Sequence, residues 1–132
     1  MKGISSKEML EKANSEVEGI SVHDVNKLIS DKSYQVVDIR DKDELMAFGT
    51  VPGAKHASRG KIEFFADPEH EYHKDFFKKE NNIILYCQTA GRSALAAYTL
   101  KTMGYEKVFH MQGGFRKWMK EIGTVEDFDD ES

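Results

Sequence analysis

Strand-like runs alternate with helical patterns along nearly the whole chain, and this alternation restricts the fold more than any other feature. Tyr34-Gln35-Val36-Val37-Asp38-Ile39 reads as a strand, as do Lys55-His56-Ala57, Ile83-Ile84-Leu85-Tyr86 and Lys107-Val108-Phe109-His110-Met111. Between them, apolar residues recur at helical intervals over 43–48, 62–65, 72–79, 93–103 and 115–121. Two further helices are expected ahead of the first strand. Ser5-Ser6-Lys7-Glu8 has capping-box spacing before Met9, Leu10, Ala13 and Val17, and Ser21-Val22-His23-Asp24 repeats the start signal before Val25, Leu28 and Ile29. Strands separated by helices imply an α/β fold, an open parallel sheet flanked by helices on both faces. Such folds bind ligands outside the carboxyl ends of their strands, where a strand enters a helix through a tight loop. One strand, 83–86, runs directly into Cys87.

With 132 residues and 39% apolar content, the chain suits one domain and is too short for a second. No repeat, low-complexity tract or linker marks an internal boundary, so a single domain is expected over 1–123. The remaining segment, 124–132, holds five acidic residues and no basic one, while the body before it carries 19 basic against 18 acidic residues. The formal charge of −4 therefore belongs to an acidic tail, expected to be solvated and mobile. No stretch concentrates Lys and Arg without matching acids, which argues against a nucleic-acid partner. No apolar run is long enough for a membrane span, and the first 14 residues lack the apolar core of a secretory signal, so a cytoplasmic location is expected. Cys87 is the sole cysteine, which excludes an internal disulfide and a multi-thiolate metal site.

The segment Cys87-Gln88-Thr89-Ala90-Gly91-Arg92-Ser93 has the parts of an activated nucleophile. Ala90 and Gly91 are small enough for the backbone to curl and turn several N–H groups inward, a nest for an anion. The helix that follows presents its positive end, Arg92 brings a permanent cation, and Thr89 and Ser93 offer hydroxyl donors. Stabilising any thiolate by two pKa units takes about 2.7 kcal/mol, whereas a helix terminus supplies about 0.3–1 kcal/mol. The loop must then act as a unit, with amides and guanidinium together making Cys87 a nucleophile.

This loop resembles the active-site loop of single-domain rhodanese-like sulfurtransferases. The likeness continues in Val37-Asp38-Ile39-Arg40 with Glu44 and Gly49-Thr50-Val51-Pro52-Gly53-Ala54, and closes in Gly113-Gly114-Phe115-Arg116-Lys117-Trp118. The resemblance implies a rhodanese-like α/β domain and a two-step sulfur relay. Cys87 would take the outer sulfur of a small anionic donor, thiosulfate or polysulfide, as a persulfide and pass it to cyanide or a thiol. Gln88 to Ser93 would bind the donor and stabilise the persulfide. No metal or organic cofactor is implied, and with no second cysteine the thiol acceptor is external. Thr50 stands where the family usually has histidine, a difference expected to be structural. The loop has one basic residue, Arg92, which points away from strong thiosulfate preference. Arg59, in Ala57-Ser58-Arg59-Gly60-Lys61, is a possible second cation at the substrate.

Two other functions compete. Cysteine phosphatases and arsenate reductases also use a cysteine and arginine loop, but with five intervening residues, whereas Cys87 and Arg92 are separated by four. A non-catalytic rhodanese-like binding module is the second, against which the retained cysteine speaks. Elsewhere, Asp38 is expected to hold a loop by hydrogen bonds and Arg40 to pair with Glu44. His70 and His73 are expected at an exposed helix start rather than on a metal. His56 and His110 are expected as satisfied core or sheet-end groups, and Phe64, Phe65, Phe76, Phe77 and Trp118 as packing.

Overall fold

The computed structural model describes residues 2–128 and lines up five parallel strands in the order β1-β5-β4-β2-β3. In chain order they are β1 Glu18–Ile20, β2 Tyr34–Asp38, β3 Lys55–His56, β4 Asn82–Tyr86 and β5 Val108–Met111. The helices are α1 Ser6–Glu16, α2 Val22–Leu28, α3 Lys42–Phe48, α4 Ile62–Ala66, α5 Gly91–Thr102 and α6 Gly114–Glu121, with a 3-10 turn at Arg59–Lys61. This is the open parallel α/β architecture expected from the alternation. Among the described residues no helix is long and apolar enough to cross a membrane.

The pleat of β4 explains how one short strand serves two cores. Ile83 and Leu85, followed by Cys87, project to one face, where Ala96, Ala97 and Leu100 of α5 and Ile62 and Ala66 of α4 meet them. Ile84 and Tyr86 project to the other, against Val22 and Val25 of α2 and Phe115 and Trp118 of α6. Small residues along α5 let it lie close to the sheet. At the other end of the chain, α1 has the expected box: the Glu8 N–H reaches Ser5 Oγ at 3.1 Å, and the Ser5 N–H reaches Glu8 Oε1 at 3.3 Å.

Three segments depart from the sequence reading. Strand β1 has no strong signal in three residues that include a glycine, yet it pairs with β5 through Glu18↔Phe109 to Ile20↔Met111. Residues 72–79 form successive turns instead of a helix. There the Lys74 N–H is drawn to Phe65 O at 2.9 Å, and the adjacent rings of Phe76 and Phe77 pack together at 4.8 Å between centroids, a pairing that helical spacing does not give. The segment expected as a tail is held against the domain as far as Phe128. Glu126 exchanges backbone hydrogen bonds with Thr50 at 2.9 and 3.0 Å, its carboxylate accepts from the Gly53 N–H at 2.8 Å, and Thr124 O accepts from Trp118 Nε1 at 2.6 Å. Residues 129–132 of the expected tail lie outside the described residues.

Candidate active site

Cys87 follows the last residue of β4 and is 1% exposed. One side of it is hydrocarbon from the α5-face core. On the other side the Ser93 N–H points at Sγ, with N···S 3.4 Å, and the thiol lies 3.5 Å from Ser93 Oγ as its donor. The Ser93 hydroxyl spends its own proton on Ala90 O at 3.0 Å, so the backbone amide is the Ser93 donor aimed at sulfur. Ala90 is the N-cap of α5 and has no side-chain oxygen to cap the first turn. A serine or aspartate there would compete for those amides.

Why the loop carries amides inward is answered from α6. An ideal Cβ on Gly114 would lie 2.5 Å from Thr89 O and 2.6 Å from both Cys87 O and Gln88 O. Phe115 N–H donates to Cys87 O at 2.9 Å and Arg116 N–H to Gln88 O at 3.0 Å. Three consecutive carbonyls therefore face the start of α6. In a trans peptide the N–H points opposite its C=O, so the amides of Gln88, Thr89 and Ala90 face away from α6. Gly114, at φ +62°, supplies the close approach; Gly91 is an ordinary first helical residue without positive φ. The glycine freedom expected inside the loop is thus located across from it. Gly91 instead presents its open side to Leu10 of α1, with 4.0 Å between an ideal Cβ and Leu10 Cδ2.

The cations are distributed differently from expectation. Arg40 does not pair with Glu44: its guanidinium is fully buried and grips Asp38, with Nη2 at 2.8 Å from Oδ2 and Nε at 3.0 Å from Oδ1. It also reaches Gly49 O at 2.7 Å and Gln88 Oε1 at 3.3 Å, and stacks 4.0 Å above the Phe115 ring. Burial alone would lower the Arg40 pKa, but the Asp38 hydrogen bonds and charge outweigh it and the net direction is up. Asp38 Oδ2 also accepts from Tyr86 OH at 2.5 Å and Thr50 Oγ1 at 3.1 Å, so Thr50 is a working member of this buried network. Burial first, then the Asp38 charge, pushes the Tyr86 hydroxyl well above its ordinary value. Glu44 takes Arg92 instead, in a fork of 3.0 and 3.2 Å. The Arg92 hydrogen bonds hold the Glu44 carboxyl below its usual range, and Glu44 raises Arg92 in return, with the Cys87 charge a smaller contributor. The Arg92 cation of the loop is thus paired with the Glu44 carboxylate.

The rhodanese-like domain family model matches residues 21–121, which contain the strand, the loop and Gly114. The chain belongs to this family. Among solved structures, a protein of unknown function described as a possible tyrosine phosphatase, from Rhodopseudomonas palustris, is 36% identical, with a TM-score of 0.88 over 96% of this chain and 97% of that one. The polysulfide-sulfur transferase homodimer of Wolinella succinogenes is 30% identical, with a TM-score of 0.73 over 95% and 89%. A putative mitochondrial thiosulfate sulfurtransferase of Schizosaccharomyces pombe is 28% identical over 80% of this chain and 82% of that one. This rhodanese-like chain spans 60% and 45% of two curated Bacillus subtilis relatives and about a third of the tRNA uridine(34) hydroxylases it matches.

Other expected residues fall at various distances from this rhodanese-like loop. Arg59 opens the 3-10 turn after β3, its N–H tied to Ile39 O at 3.0 Å and its guanidinium to Glu63 only at 3.4 and 3.5 Å. His56 holds Arg40 O through Nε2 at 2.8 Å. His110 is buried but not satisfied: Nδ1 has no partner among the described residues, and desolvation lowers its pKa. His73 Nδ1 lies 3.0 Å from Phe65 O, and His70 Nδ1 accepts from the Tyr72 N–H at 3.0 Å, in turns rather than at a helix start. Phe65, Phe76, Phe77 and Trp118 pack in or against the cores, whereas Phe64 is 47% exposed. Sequence reasoning missed the roles of Leu10, Tyr86 and the carbonyl-facing Gly114. Only the paired glycines before Phe115 signalled one of them.

Proposed function

We propose that this rhodanese-like domain is a sulfurtransferase that carries sulfane sulfur on Cys87. The observation that carries the reading is the orientation of the loop: three carbonyls turned to α6, one amide already on Sγ. In the first step the Cys87 thiolate attacks the outer sulfur of thiosulfate or a polysulfide. The new S–S bond forms as the donor's S–S bond breaks, and sulfite or the shortened polysulfide leaves with the electron pair. The outer sulfur of the persulfide then stands about 2 Å beyond Sγ, where loop amides can hold its charge. An acceptor thiolate or cyanide attacks that sulfur, and Cys87 departs as thiolate, so the cycle needs no oxidant or reductant. The Wolinella relative is described as a polysulfide-sulfur transferase, which agrees with the single loop cation in favouring polysulfide over thiosulfate.

The description of the Rhodopseudomonas relative raises a phosphatase as the second reading. Against it stand the four-residue spacing and the commitment of the Arg92 fork to Glu44, since a phosphate loop needs that fork for the oxyanion. Intact-protein mass spectrometry after exposure to polysulfide, and separately thiosulfate, tests the proposal. One added sulfur is expected on wild type, more readily from polysulfide, and none on Cys87→Ser. An unmodified wild type together with hydrolysis of p-nitrophenyl phosphate overturns it in favour of the phosphatase. An unmodified wild type without hydrolysis leaves a binding module.

A further inference from the structure

Along α5, immediately past the cysteine loop, runs an apolar groove of about 200 Å³ between α5 and α1. Its walls are Leu95 and Tyr98 of α5 and Ile4 and Met9 from the N-terminal segment, with Arg59 and Lys12 as its cations. The family match begins at residue 21, so the α1 wall lies outside the matched region. Ile4 and Met9, 64% and 45% exposed, leave this wall of the groove open to solvent. Arg59 is pinned by its backbone to the carboxyl end of β2, and the guanidinium contacts it makes among the described residues are with the Glu63 carboxylate at 3.4 and 3.5 Å, a long ion pair that an incoming anion could displace. Lys12 pairs with Glu16 at 3.0 Å, which makes Arg59 the more available cation.

The groove begins close to the chemistry. Leu95 is one helical turn beyond Gly91, on the face of α5 that meets Leu10 of α1 at Gly91, and Thr99 follows one turn later, so the trough covers roughly 6–12 Å of α5 measured from Gly91 at the end of the loop. Building on the sulfur-relay reading, we propose that this groove selects the acceptor: a thiol with a flexible apolar arm ending in a carboxylate. The arm would lie on Leu95, Tyr98 and Met9 and the carboxylate against Arg59. Its thiolate would attack the outer sulfur of the Cys87 persulfide. The S–S bond to Cys87 breaks, a new S–S bond forms on the acceptor, and Cys87 keeps the electron pair.

The test compares acceptors on the same persulfide-loaded protein: mercaptohexanoate, the neutral mercaptohexanol, short mercaptoacetate, and cyanide as an acceptor too small for the groove. Mercaptohexanoate is expected to exceed both mercaptohexanol and mercaptoacetate about tenfold in kcat/KM. In Arg59→Gln the advantage over the alcohol should collapse toward unity, and in Met9→Gln, an exposed position that spares the fold, the advantage over mercaptoacetate should shrink. Equal rates for the three thiols with cyanide still turning over would overturn the groove assignment and leave the relay standing. Should nothing turn over, the relay fails, and NMR titration of the resting protein with the S-methyl ether of mercaptohexanoate decides the groove alone. Saturable shifts at Leu95, Tyr98 and Met9 that Arg59→Gln weakens support it; absence of such shifts overturns it.

Discussion

If the chain moves sulfane sulfur as proposed, donor choice is expected to turn on the charge of Arg92. Its fork is paired with the Glu44 carboxylate, although Cys87 is near enough to act on it. Replacing Glu44 by glutamine keeps a residue that can accept from the Asp41 N–H in the α3 capping box while removing the countercharge. Glu44→Gln is therefore expected to raise kcat/KM for thiosulfate about three- to tenfold at low salt, with the gain fading toward 1 M salt. An unchanged rate would mean that the guanidinium does not face the donor at all. That Arg92 rather than Arg40 owns Glu44 was not legible in the sequence. Spacing of i,i+4 joins side chains only within a helix, and Arg40 precedes Asp41, the N-cap of α3. Cys87 and its loop, by contrast, could be picked out as a motif because their parts are contiguous in sequence, whereas the α6 contacts that orient the loop carbonyls come from residues 114–116 and could not.

At the level of elements, the working unit is strand, loop and two helix starts: β4 delivers Cys87, α5 presents its uncapped first turn, and α6 fixes the carbonyls from behind. Gly114→Ala would place a methyl among three backbone oxygens at a φ of +62°, with no flexible side chain available to yield. A loss of about 2–4 kcal/mol in urea unfolding is expected, together with loss of persulfide formation. Full activity at reduced stability would show that the loop keeps its shape without α6. The strands β2, β4 and β5 were readable because buried apolar runs announce themselves, as was α1 through its capping box. Strand β1 was not, since three residues acquire strand geometry only from pairing with β5. The turns at 72–79 escaped for a related reason: their conformation is dictated by packing onto the α5-face core and by the bond to Phe65.

Among the described residues, buried polar side chains divide into those with partners and one without, and acid separates them. The Asp38, Arg40, Tyr86 and Thr50 cluster is mutually satisfied. His110 is buried with Nδ1 unpartnered among the described residues, and desolvation holds its imidazole below the ordinary value near 6.5. The unfolded chain accordingly takes up the proton first as pH falls, so stability is full above about 6.5 and is lost as pH drops toward the folded pKa. Glu44 behaves alike in a lower window: Arg92 depresses its carboxyl, so that contribution is present above about 4.5 and disappears below it. Between pH 7.5 and 5.5 the wild type should thus lose stability with a slope of at most about 1.4 kcal/mol per pH unit, one proton's worth. His110→Leu, which fills the site with hydrocarbon and cannot titrate, should flatten that slope while leaving the fall below pH 4.5 intact. Urea midpoints across this range decide it, because a wild-type slope persisting unchanged in His110→Leu would assign the titration to another group.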